Sequence, residues 1–66
     1  MKRESLARFV KHCRNEIGLS QAELASALGT TRSVIANWES GRSEPRTTEF
    51  FKLRRFLKQR KFRLPI

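Results

Sequence analysis

Apolar residues recur three and four positions apart along most of the chain, the spacing that lines one face of a helix. Leu6, Phe9, Val10, Cys13 and Ile17 form the first such stripe and predict a helix from about Glu4 to Ile17, ended by Gly18. Leu24, Ala25 and Leu28 form the second, in a helix near Gln21 to Leu28. Ser20 is placed to cap it, and Glu23 three residues later can reach back to close a capping box. Gly29 falls where that helix must stop, a position for a residue that accepts positive φ. Val34, Ile35 and Trp38 mark a third helix near Arg32 to Ser40, capped by Thr30 or Thr31 and stopped by Gly41, with Pro45 soon after. A fourth helix should begin near Thr47, capped by Thr47 or a residue around Ser43, and carry Phe50, Phe51, Leu53, Phe56 and Leu57. The period then changes: Phe62, Leu64 and Ile66 alternate with Lys61, Arg63 and Pro65, a pattern for an extended segment that Pro65 confines to an edge.

Two short helices joined by a turn at Gly29 must cross steeply, and only a small side chain such as Ala25 fits at the crossing. Ser20-Gln21-x-Glu23-Leu24-Ala25, Gly29, Ile35-x-x-Trp38-Glu39-x-Gly41 and Pro45 together resemble the Cro/repressor-type helix-turn-helix family of phage and bacterial transcription regulators. The resemblance covers Leu6 to Leu57. It implies an all-α fold: a compact four- to five-helix, lambda-repressor-like DNA-binding domain over residues 1–57, followed by a basic C-terminal tail over 58–66. The family usually continues with a short loop and a fifth helix, which this tail does not offer, and Arg54 stands where relatives commonly have a small residue. Both departures bear on the family's dimer contacts. Packing on its own core, pairing with the tail of a second subunit and disorder are all open to the tail.

Charge sharpens the reading. The chain has 66 residues and a net charge of +9, of which residues 1–39 contribute +2 (six basic, four acidic) and residues 40–66 contribute +7 (nine basic, two acidic). A polyanionic partner follows, with nucleic acid ahead of an anionic membrane surface. A chain this short is one domain near the lower limit for a self-supporting core, so help from a second copy is expected. The single cysteine excludes an internal disulfide, and Cys13 is in phase with the buried stripe of the first helix. No Cys/His cluster offers a metal site, and no cofactor is expected. No stretch reads as a signal sequence or a membrane span, which points to a cytoplasmic, nucleoid-associated protein. One His, one Cys, no Tyr and six scattered acids supply no catalytic set, so an enzyme is not expected.

In a helix-turn-helix the second helix faces base edges from its N-terminal part while the first crosses the backbone. Arg32, Ser33 and Asn37 are the candidates for base contacts: Arg32 by two hydrogen bonds to guanine, Asn37 bidentately to adenine, Ser33 to a base or a phosphate. Gln21, at the start of the second helix, joins them; relatives use this glutamine at the backbone and sometimes against a base-contacting side chain. Thr31, Arg42, Arg46 and Ser20 are the candidates for phosphate contacts, which supply salt-sensitive affinity without choosing sequence. Ala25, Gly29, Ile35 and Trp38 are structural; Trp38 is in phase with Ile35 and belongs to the core rather than to a stacking platform. Glu39 would repel phosphate if exposed and needs a basic partner, which the resemblance implies is Arg14 in the first helix. The function expected is a transcriptional regulator acting as a homodimer on a palindromic double-stranded DNA operator, as a repressor or autoregulator. The rival is an antitoxin that uses the same DNA-reading core and also binds a toxin partner; a cationic membrane-active or nonspecific nucleic-acid protein would not need the caps and the tight turn.

Overall fold

The computed structural model describes residues 3–60. Four helices follow in order, α1 (Arg3–Ile17), α2 (Gln21–Leu28), α3 (Arg32–Ser40) and α4 (Thr47–Gln59), with no strand among the described residues. The expectation for Phe62, Leu64 and Ile66, and any fifth helix, falls outside the described residues.

Local chemistry sets the helix ends. The Ser20 hydroxyl accepts the Glu23 N–H at 3.0 Å and the Glu23 carboxylate accepts the Ser20 N–H at 2.8 Å, so the capping box of α2 is complete. Thr31, rather than Thr30, caps α3 by accepting the Val34 N–H at 3.4 Å. Gly29 ends α2 at φ 71° in the left-handed region, where a β-carbon is disfavoured. The N–H of Gly29 donates to the Ser26 carbonyl and that of Thr30 to the Ala25 carbonyl, which ties off carbonyls that α2 leaves without partners.

The core forms where the stripes meet. Val10, Cys13, Leu24, Ile35, Leu53 and Leu57 are fully enclosed, joined by Trp38 and Ala25. Removing each large apolar side chain from water contributes about 1.5–3 kcal/mol, an upper bound because the unfolded chain is not fully extended. Helix α3 is central: it packs on α2 and α1, while α2 also meets α4. Ala25 is 2% exposed, as a close crossing of α2 requires. Cys13 is sealed in α1, and burial pushes its thiol up to about 11.

Three expectations about α4 change. Its N-cap is Arg46, not Thr47 or a residue near Ser43. Arginine has no acceptor to offer the first turn, so capping comes from the other direction: the Glu49 carboxylate accepts the Arg46 N–H at 2.8 Å. Phe51 is 57% exposed and does not join the core. Helical phase explains this, since Leu53 and Leu57 define the inner face and Phe51 falls about 160° from Leu53. The helix also runs through Lys58 and Gln59, so the first two residues assigned to a tail are helical.

Candidate nucleic-acid interface

The outward face of α3 follows from its buried one. Ile35 and Trp38 are 0% and 3% exposed, and at about 100° per residue the opposite side carries Ser33 and Ser40, flanked by Asn37 and Ala36. Arg32 stands at the edge of this face, in the first turn. Arg32 and Ser33 are exposed and Asn37 half-buried, so the three expected base-contacting residues of α3 share one accessible surface. Ala36 and Ser40 belong to that surface too; Ala36 follows Ser33 by three and Ser40 follows Asn37 by three, the helical spacing that signals it in the sequence. The backbone behind Asn37 is well held, since its carbonyl accepts the N–H of Arg42 at 3.0 Å and of Ser43 at 3.3 Å and the Ser40 hydroxyl at 3.2 Å.

The flanks are polar and basic. Thr31 is exposed at the cap of α3, and its hydroxyl hydrogen remains available while its oxygen serves Val34. Arg42 follows the glycine that ends α3, and Arg46 caps α4; both side chains are exposed. Ser20 is less free than the sequence suggests, because the Glu23 carboxylate holds its N–H and its hydroxyl oxygen holds that of Glu23. Glu23 therefore lies at the positive end of α2, and the Ser20 N–H and hydroxyl hold its carboxyl below the usual range.

Beneath this surface is a network of three side chains. Arg14 donates from Nε to Glu39 Oε2 at 2.6 Å and from Nη2 to Oε1 at 2.9 Å, a two-pronged pair whose side chains are only 12% and 5% exposed. Its remaining arm, Nη1, donates to the Leu19 carbonyl at 2.8 Å. Gln21 Nε2 donates to Glu39 Oε1 at 3.2 Å. One guanidinium thus joins the end of α1, the turn before α2 and the last turn of α3. Burial works to raise the Glu39 carboxyl, but hydrogen bonds from Arg14 and Gln21 and the charges of Arg14 and Lys11 outweigh it and hold it below its usual range. Arg14 is held above its ordinary value, chiefly by its hydrogen bond to Glu39. The pair agrees with what the resemblance implies. The Leu19 carbonyl and the fixing of Gln21 by Glu39 are additions that no spacing in the sequence signals.

This arrangement can present a rigid polar helix face to a groove and keep the nearby acid away from phosphate. No group of three or more His, Cys, Asp or Glu that could hold a metal exists among the described residues. No helix among them is long and apolar enough to cross a membrane. A family model described as helix-turn-helix matches residues 10–62. No curated protein matches the chain.

Proposed function

We propose a mode of action on one premise: this chain belongs to the Cro/repressor-type helix-turn-helix family of DNA-binding transcriptional regulators. The four helices among the described residues fit the lambda-repressor-like architecture of that family. In the proposed mode, α3 enters the major groove of an operator, with Arg32, Ser33 and Asn37 choosing bases. Gln21, steadied by Glu39, reaches the DNA from the start of α2. Thr31, Arg42, Arg46 and Ser20 bind phosphates on either side. The observation that carries this reading is the two-sidedness of α3: Ile35 and Trp38 are sealed while Arg32 and Ser33 are exposed on a backbone fixed at both ends.

The chain acts as a homodimer on an inverted repeat and represses by occupying its operator. The small size of the domain supports dimerisation, since a second copy adds both stability and a second recognition helix. The test is selection of bound duplexes from a random DNA pool, with binding repeated across salt concentrations. Enrichment of an inverted repeat with half-sites about one helical turn apart is the expected result. Enrichment of a lone half-site would remove the dimer and keep the reader. Steeply salt-dependent binding with no enrichment would remove sequence-specific reading altogether.

A further inference from the structure

A second surface lies outside the helix that reads DNA. Between the C-terminal end of α2 and one flank of α4 runs an open groove of about 410 Å³, more apolar than polar in its lining. Ser26, Ala27 and Leu28 form one side, and Lys52, Arg55 and Phe56 the other. None of the groove's residues belongs to α3 or to the turn that follows it. The exposed Phe51 is next to Lys52 and one helical turn before Arg55, which extends the apolar area beyond the groove.

The chemistry of the groove narrows its occupant. Serine and alanine on α2 leave room for close approach, while the exposed edge of Leu28 and the half-buried Phe56, whose ring lies 5.0 Å from the Arg60 guanidinium, favour an aliphatic or aromatic side chain flanked by acids. Lys52 and Arg55, three residues apart on one edge of α4, favour carboxylates at matching spacing. A phosphate backbone would use the two cations and leave the apolar lining unmatched. A second copy would bring together two halves that each carry +7. Residues 61–66 of the chain itself carry two cations and no acidic side chain, so they offer no carboxylate side chain to Lys52 and Arg55. We infer that this groove docks a short acidic amphipathic segment of another protein, its apolar side chains on Leu28 and Phe56 and its carboxylates on Lys52 and Arg55. The edge from Lys52 to Gln59 is about 10 Å long, the length of two turns of helix. Because the groove excludes α3, partner and DNA can be held together.

The probe is a synthetic helical peptide of about sixteen residues, long enough to hold a helix, with leucines on one face flanked by glutamates. The readout is amide shifts of the isotope-labelled full chain. Shifts confined to Ser26–Gly29 and Lys52–Gln59 are expected. A scrambled peptide of the same composition should bind about tenfold more weakly, as should the variant Lys52→Glu/Arg55→Glu, which turns two charge pairs into repulsions. Ala27→Gln, which fills the groove without changing charge, should weaken binding in the same direction while the melting temperature and the DNA sequence preference stay as they were. Equal binding of the scrambled peptide would reduce the groove to plain polyanion attraction and overturn the inference. So would shifts centred on Arg32–Asn37, or displacement of the peptide from the groove by a short duplex. A change of oligomeric state in Lys52→Glu/Arg55→Glu would assign the groove to a second copy instead. Contacts from Leu64 or Ile66 to Phe56 in the free chain would assign it to the chain's own end.

Discussion

Replacing Glu39 with glutamine keeps the shape of the side chain and removes its charge. Arg14 then stays 12% exposed with the Leu19 carbonyl as its remaining full partner, and the amide hydrogens of the new residue cannot accept from it. Stranding one member of a buried pair costs roughly 3–5 kcal/mol; the residual exposure of Arg14 argues for the lower end, about 3 kcal/mol. A chain of this size has about 3–10 kcal/mol in total, so the loss takes a large part of its stability. On a domain of 60–100 residues that is a fall of about 12–24 °C in melting temperature. The assay is thermal and urea unfolding followed by helical circular dichroism, on Glu39→Gln, Arg14→Met and the double variant Arg14→Met/Glu39→Gln. The double variant should be more stable than the sum of the two single losses implies, because it buries no unpaired charge. Acid provides a second check. The Glu39 carboxyl lies below its ordinary value in the folded state, so its stabilisation is complete above about pH 4.3 and is lost as pH falls through the folded value. The gap between the parent and Glu39→Gln should therefore close at low pH. Single-variant losses under about 1 kcal/mol, or strictly additive losses in the double variant, would refute the buried-pair reasoning.

Further outcomes follow from other residues. Ala25→Leu should destabilise by about 1–3 kcal/mol and weaken binding to every DNA sequence, because the larger side chain forces α2 and α3 apart; unfolding and gel-shift measurements on the same variant check both. The Cys13 thiol, raised to about 11, should resist a thiol reagent at pH 8 until the chain unfolds, and stability should decline above about pH 8.5, where the unfolded thiol ionises first. Arg32→Ala and Asn37→Ala should each relax preference at defined bases by about 1–3 kcal/mol. Arg42→Ala should instead leave preference intact and lower the slope of affinity against salt by about one, as competition binding at several salt concentrations will show.

The helix-turn-helix was legible in the sequence because its signals are local. Ser20 with Glu23, Gly29 and Gly41 each answer to backbone geometry within a few residues, and α2 and α3 begin and end where those residues place them. The start of α4 was less legible. Thr47 and Ser43 have the hydroxyls that usually cap, yet although α4 begins at Thr47 as expected, its cap is Arg46, because Glu49 can secure the Arg46 N–H whatever side chain residue 46 carries. Phe51 counts among the apolar residues the fourth helix carries, yet the phase set by Leu53 and Leu57 turns it outward; period is a better guide than hydrophobicity alone. The Arg14–Glu39 pair joins residues twenty-five positions apart, so no spacing rule finds it, and only resemblance to a family pointed there. Gln21's bond to Glu39 was not foreseen for the same reason.

The division of α3 into an anchored side and an open side has a consequence for how such a regulator changes its target. Ile35, Trp38 and Glu39 are committed to the interior, whereas Arg32, Ser33, Ala36, Asn37 and Ser40 face outward. The exposed Arg32, Ser33 and Ser40 can be rewritten with little effect on folding, since changes at exposed surface positions stay within about 0.5 kcal/mol, while the half-buried Ala36 and Asn37 accept residues of similar size. On the proposed mode of binding a new address on DNA is a handful of substitutions away, and transplanting the outer residues of another helix-turn-helix onto this scaffold is the natural route to a regulator with a chosen operator.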